Sequence, residues 1–423
     1  MNAKELKERI LTGALDAYGA IYADTVSQKE RFISAIDAFS AEFGEGRDLM
    51  ILSVPGRSEI LGNHTDHNRG EVLAGAIDRD IIAVASARED GIINLHSEGY
   101  PVDTVRLADC EDPVNFRDYS SSALIGGVVN GFSRQGYAVG GFDAYTTTQV
   151  LKGSGISSSA AFEVMIGNIL SHLYNGGRIE NEELAKIAQY AENEYFGKPC
   201  GLMDQMACAV GGFVYIDFAD AKAPVVKPIP LSPKEKGYTL CIVNTGGNHA
   251  DLNEDYASVP REMKAVAAAL GRDVLAGVSE EELIAAAPTL RESLGDRAIL
   301  RALHFVRECR RVARAAEALQ SGSLEGLFRE MTASGLSSFR YLQNVYTTVN
   351  VSEQGLSLAL CLIDGYLGDR GAYRVHGGGF AGTVQAFVPD EMLIGFETLM
   401  NGVFGEGATL RLNIRPVGAT RIL

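Results

Sequence analysis

Leu151-Lys-Gly-Ser-Gly-Ile-Ser-Ser-Ser-Ala160 runs into a helical pattern at 160–174. Its glycines let backbone amides approach an anion closely. The helix N-terminus adds N–H donors and the favourable end of a dipole. Ser157, Ser158 and Ser159 supply hydroxyls, one of them suited to Mg²⁺. The stretch therefore reads as a phosphate cradle. It lacks the G-x-x-x-x-G-K-S/T pattern of a P-loop. The plain alternative is a Gly/Ser turn with a serine N-cap, which fits two glycines followed by three serines less well.

Working outward, residues 1–46 predict two amphipathic helices, at 4–18 and 28–43. A short strand is expected at 48–54, ending in a Pro-Gly turn at Pro55-Gly56. Further strands are expected at 81–87, 93–97, 141–148, 211–217 and 238–244, and near the C-terminus at 372–375, 382–388 and 409–416. Helices are expected at 121–136, 181–196, 279–287, 298–320 and 352–367. Strands and helices mix without regular βαβ alternation, which predicts an α+β fold. Residues 222–236 hold four prolines and mark the expected domain boundary.

Two other glycine-rich segments accompany the cradle. Pro55-Gly-Arg-Ser-Glu-Ile-Leu-Gly-Asn-His-Thr-Asp-His-Asn68 packs Arg57, Asn63, His64, Asp66 and His67 behind a strand. Donors and acceptors at that density suit a polyhydroxylated ligand. A metallohydrolase run would need a histidine at position 62, which is Gly62. His376-Gly-Gly-Gly-Phe-Ala-Gly382 precedes a strand rather than a helix, so it is a poor dinucleotide fingerprint. It reads as a tight loop packed against the phosphate site. Asp204 follows a Gly-containing turn and precedes an apolar stretch, a setting in which a carboxylate can act as a general base. An N-cap aspartate is the plain alternative there.

Taken in order, these segments resemble the galactokinase branch of the GHMP kinases. Residues 55–73 resemble the galactokinase signature, 151–160 the ATP motif, 197–205 the segment of the catalytic aspartate and 374–384 the third motif. The resemblance runs from about residue 48 to the end. It implies a two-domain GHMP-kinase fold with the active site in the interdomain cleft. The implied parts are a helical extension at 1–47, a domain with the sugar and ATP motifs at 48–225, and a second at 226–423. It also implies phosphoryl transfer from MgATP to the anomeric hydroxyl of a hexose.

Carried over residue by residue, the resemblance makes Asp204 the catalytic base and Arg57 its charge partner. Asn63, His64, Thr65, Asp66, Gly201 and Tyr256 match sugar-binding positions. Gly153, Ser154, Gly155, Ile156, Ser157, Ser158 and Ser159 match the triphosphate loop, and Ser159 and Glu192 the Mg²⁺ positions. The implied partners are thus a sugar and ATP. Several positions depart from the family pattern. Asn63 replaces a glutamate, Glu59 an asparagine, His67 a tyrosine and Ala381 a glycine. The Asn63 departure leaves other sugars open, namely N-acetylgalactosamine, arabinose or galacturonate. A non-catalytic sugar sensor is the remaining alternative, although the serine loop and Asp204 are intact.

Composition narrows the class. At 423 residues the chain is long enough for two or three domains of roughly 100–200 residues each. Net charge is −16, which argues against a general nucleic-acid binder. The six cysteines form no C-x-x-C pair and read as reduced thiols of a cytoplasmic protein. No apolar run reaches the ~18 residues of a membrane span. A monomer or weak homo-oligomer is expected.

Overall fold

A computed structural model describes residues 1–19, 21–22, 25–117, 119–150, 156–198, 200–220, 223–247 and 252–423. The chain falls into two compact units. One comprises Met1–Arg57, Ala76–Gly212 and Arg415–Leu423, the other Ser58–Gly75 and Phe213–Ile414. These limits differ from the boundaries expected at 47/48 and 225/226. The N-terminal helices and the last nine residues belong to the first unit, and the segment 58–75 belongs to the second.

The first unit opens with α1 (Ala3–Leu11), started by a capping box in which Asn2 and Glu5 each take the other's backbone N–H. With α2 (Thr25–Phe43) it presents Leu6, Ile10, Phe32, Ile36 and Phe39 to a core. That core includes Ile51 of β1 (Met50–Leu61), Ile82 and Val84 of β2 (Glu71–Arg88), and the C-terminal Ile422 and Leu423. The N-terminal residues thus cover the core. The strand expected to stop at Val54 continues through Pro55-Gly56 to Leu61. Next come β3 (Ile92–Ser97), β4 (Asp103–Arg106), α3 (Ser121–Arg134), β5 (Gly141–Thr148), α4 (Ser158–Tyr174), α5 (Asn181–Glu194) and α6 (Met203–Val210).

The second unit carries β6 (Phe213–Asp217), β7 (Val225–Ile229) and β8 (Tyr238–Asn244), then α7 (Asn253–Ala269), α8 (Glu280–Leu294), α9 (Asp296–Gln320), α10 (Leu324–Ser337) and α11 (Gly355–Leu367). It ends with β9 (Ala372–His376), β10 (Thr383–Pro389), α12 (Leu393–Phe404) and β11 (Thr409–Leu412). The chain then returns to the first unit as β12 (Thr420–Arg421). Strands of the first unit follow the order β12-β1-β2-β5-β3-β4, with β3 parallel to β5 and β2 antiparallel to it. In the second unit β6 pairs with the start of β2 and with β7, and β7 lies inside the proline-rich stretch expected to mark the domain boundary. A separate antiparallel sheet, β11-β8-β10-β9, packs Val243, Val375, Val384 and Ala386 against Leu356, Ile363 and Phe396 of α11 and α12.

One buried polar group ties the first unit together. The Asp80 carboxylate on β2 accepts from Tyr22 (2.6 Å), Ser53 (2.5 Å), Arg31 (2.6 Å) and Arg415 (3.2 Å). A fully desolvated carboxylate is costly unless paired this completely. Among the described residues no helix is long and apolar enough to cross a membrane.

Candidate active site

Arg57 sits on β1, and the preceding glycine explains its placement. A Cβ on Gly56 would lie 2.7 Å from the Ile156 carbonyl oxygen and 3.0 Å from Val150 Cγ1. Without one, β1 comes close enough for the Arg57 amide to donate to that carbonyl at 3.1 Å. Asp204 lies in the first turn of α6. Arg57 Nε donates to Asp204 Oδ1 at 2.7 Å and Nη2 to Oδ2 at 2.8 Å, a two-pronged charged pair. Ser157, in a left-handed conformation (φ 62°), donates to Oδ2 at 2.5 Å. Such backbone strain in a non-glycine residue is typical of functional turns.

Burial alone would raise the Asp204 pKa. The Arg57 charge and hydrogen bonds, with help from Ser157 and Lys198, hold it below the ordinary carboxylate value instead. Its side chain remains 32% exposed. The result is a charged carboxylate, fixed in direction, with surface open to a ligand.

Ser158 and Ser159 open α4. Ser159 Oγ lies 3.5 Å from Glu192 Oε1, and Lys198 Nζ lies 3.1 Å from that same oxygen. Behind them, Gln205 Nε2 bridges Glu192 Oε2 (2.7 Å) and Glu163 Oε2 (3.1 Å). Glu163 is fully buried, and its Oε1 has no partner among the described residues. Burial, and then the nearby Glu192 charge, push its pKa well above the ordinary value. A hydroxyl beside one carboxylate is the hard-oxygen set that Mg²⁺ takes when phosphates and waters fill the rest of its shell. Ser159 and Glu192 therefore fit that ion. No group of three or more His, Cys, Asp or Glu able to hold a metal occurs among the described residues. Gly153, Ser154 and Gly155 lie outside the described residues, so the close approach expected of the glycines there has no described counterpart.

In the second unit a cavity of about 330 Å³ is lined by Glu59, Asn63, His64, Asp66, His67, Tyr256, Pro260, Gly377 and Gly378. That size is near the lower end of ligand pockets, roughly 300–1,000 Å³. Gly62 makes the turn into it with φ 104°, and a Cβ there would lie 2.7 Å from both Glu71 O and Val72 Cα. His64 Nε2 contacts the Gly378 carbonyl at 3.0 Å. Tyr256, on α7, donates to the Gly379 carbonyl at 2.7 Å and stacks edge-on against Phe380. A Cβ on Gly378 would lie 2.7 Å from the Tyr256 ring, so the third motif needs its glycine to pack here. A larger cavity, about 580 Å³, has Thr245–Gly247, Val349, Asn350, residues 352–356 and Phe380-Ala381 in its lining, with Glu353 its one titratable group. The smaller cavity has the convergent polar groups expected of a substrate site.

Each unit thus assembles its own share of the expected residues. Arg57, Ser157 and Asp204 meet in the first unit, as do Ser159 and Glu192. Asn63, His64, Asp66 and Tyr256 meet in the second. Gly201 is an exposed loop residue just ahead of α6. Thr65 stands apart from the other expected sugar contacts. It is fully buried, does not line the cavity, and its hydroxyl faces the Gly62 and Glu71 carbonyls at 2.8 and 2.7 Å. The third-motif loop packs on the signature segment through Gly377 and Gly378. Glu59 and Pro260 also line the cavity, although neither was expected as a ligand contact. Glu59 stood out in the sequence only as a departure from the family pattern.

Comparison with known proteins gives the family. Residues 123–212 match the model of the GHMP kinases N terminal domain, and residues 37–87 that of the galactokinase galactose-binding signature. The fold is similar to Lactococcus lactis galactokinase crystallised with galactose (TM-score 0.76, 24% identity, 92% of this chain and 99% of that one). It is also similar to Methanococcus jannaschii mevalonate kinase (TM-score 0.60, 17% identity, 87% and 98%). Fold and site together define a GHMP kinase, a phosphotransferase. A galactokinase of Streptomyces coelicolor is 33% identical over 346 residues, 80% of this chain and 84% of the relative. The chain belongs to the galactokinase family and is a sugar kinase.

Proposed function

We propose that the chain transfers the γ-phosphoryl group of MgATP to the anomeric hydroxyl of galactose, giving galactose 1-phosphate and ADP. The observation that carries this reading is the Asp204 carboxylate, held charged by Arg57 and left partly open. Asp204 accepts the proton of the anomeric O–H as that oxygen bonds to the γ-phosphorus and the bond to the bridging oxygen of ADP breaks. A depressed pKa makes Asp204 a weak base. That suits a loose transition state, where positioning and charge neutralisation lower the barrier more than early deprotonation does. Arg57 keeps the carboxylate charged and aimed.

The 153–159 loop and the α4 N-terminus supply N–H and hydroxyl donors to the phosphates. Ser159 and Glu192 would hold Mg²⁺, which would supply neutralisation of phosphate charge. His64, Asp66 and Tyr256 contact the sugar in the cavity of the second unit. The S. coelicolor relative's name and the galactose-binding signature support galactose as that sugar. ADP release from MgATP across galactose, N-acetylgalactosamine, glucose, arabinose and galacturonate tests the reading. Galactose is expected to lead the panel. Turnover led by another sugar would reassign the cavity, and ATP binding without any turnover would leave a sensor.

A further inference from the structure

Two neighbouring residues of the sugar cavity differ in what they have left to offer a ligand. Asn63 is only 1% exposed. Its Nδ2 donates to Glu59 Oε1 at 3.2 Å and to the Gly377 carbonyl at 2.7 Å. Its Oδ1 accepts from Asn344 Nδ2 at 2.8 Å and from Ser338 Oγ at 3.3 Å. A primary amide has two N–H donors and two acceptor sites, so this one is fully occupied inside the protein.

Glu59 is different. Its Oε1 accepts from Asn63 and, at 3.2 Å each, from both terminal nitrogens of the fully buried Arg374. Gln385 Nε2 fixes the Glu59 backbone carbonyl at 2.7 Å. Oε2 makes no hydrogen bond among the described residues, and it is not one of the enclosed atoms left without a partner. Glu59 thus offers the cavity one oriented anionic acceptor.

We propose that Glu59, positioned by Asn63 and Arg374, is the specificity-determining acceptor for a sugar hydroxyl in this cavity. This inference rests on the sugar-kinase reading above and sharpens it to a class of substrate. A neutral sugar hydroxyl donates to Glu59 Oε2. A uronic acid at the same place sets one carboxylate against another and is rejected. Asn63 positions Glu59 and does not itself read the sugar.

The test compares kcat/KM for galactose, its singly deoxygenated analogues and galacturonate, in the wild type and in Glu59→Gln. One deoxygenated sugar is expected to lose about 10- to 100-fold in the wild type, as for a charged hydrogen bond. The same sugar should lose far less in Glu59→Gln, where galacturonate should gain relative to galactose. KM for ATP should not move. A loss in Glu59→Gln that is uniform across all sugars would make the residue a structural partner of Arg374 and overturn the inference. If Glu59→Gln fails to fold with Arg374 left short of a charge, Glu59→Asp keeps the charge and withdraws the oxygen by one methylene. It should then show the same selective loss. Wild type inactive on every sugar would overturn the kinase reading and this inference together. Active wild type with no selective response would overturn the inference alone.

Discussion

Asp80 and Asp204 lie in the same unit, and each is held by arginine and a serine hydroxyl, but they do different things. Asp80 is fully buried and accepts from Tyr22, Ser53, Arg31 and Arg415. Asp204 accepts from Arg57 and Ser157, with 32% of its side chain exposed. In both, burial acts to raise the pKa and arginine charge brings it below the ordinary value. The surface left for another molecule separates them. A closed ion pair specifies a fold, and one left open on one side can do chemistry.

Removing each charge should break the comparison in opposite ways. Asp204→Asn is expected to lower kcat by about 10²- to 10⁴-fold, the range for a general base, with a smaller loss of stability than Asp80→Asn because its pair is partly open. Asp80→Asn is expected to cost about 3–5 kcal/mol of stability by leaving buried arginines unpaired. Its folded fraction should keep the parent KM and kcat. Denaturant unfolding and steady-state ADP release on both variants check this. Equal effects of both kinds in both variants would erase the distinction.

A smaller effect sharpens it. Arg57→Lys keeps the charge but loses the two-pronged geometry. A loss of about tenfold in kcat/KM is expected, the order of one charged hydrogen bond. The pH dependence should move too. With Arg57 in place, Asp204 stays charged down to below its ordinary value of about 3.9, so it adds no acid limb to the rate at neutral or mildly acidic pH. Its contribution to stability is likewise present above that value and lost as pH falls through the depressed pKa. In Arg57→Lys the acid limb should shift upward. A pH–rate profile that does not move would show that Arg57 does not control Asp204.

The smallest expected effect concerns Glu163, whose pKa is raised by burial and then by Glu192. Its stabilising contribution is complete below about pH 4.3 and is lost as pH rises through the raised value. Glu163→Gln removes that penalty and keeps the shape. The variant should gain on the order of 1 kcal/mol, a few degrees in Tm, at neutral and alkaline pH. The gain should vanish in acid. Thermal unfolding from pH 4 to 9 reads this directly, and a Tm difference independent of pH would contradict it.

Much of the first unit's share of the candidate site was legible in the sequence because its residues sit in short motifs. Arg57, Ser157, Ser159 and Asp204 could be singled out from local context, and Glu192 through the family resemblance. Strands at 141–148 and 238–244 could be read to the residue from their β-branched and apolar runs. Other features depended on contacts distant in sequence. Pro55-Gly56 reads as a turn, but the strand continues because only glycine lets β1 approach Ile156. The helix α7 was hidden by Pro260, which costs one backbone hydrogen bond in a helix that packing stabilises.

The unit limits were hidden as well, since a cut along the sequence cannot return 58–75 to the second unit or the last residues to the first. In the cavity, Glu59 and Asn63 were visible as two separate departures. Only the fold shows them hydrogen-bonded to each other, with the amide closed and the carboxylate open.

The most direct test of the central claim follows ADP release from MgATP, with and without galactose, in wild type and Asp204→Asn side by side. ATP affinity is measured calorimetrically on both proteins. The account predicts galactose-dependent release by the wild type and its collapse in the variant, with ATP affinity retained. Turnover by Asp204→Asn at the wild-type rate would contradict it.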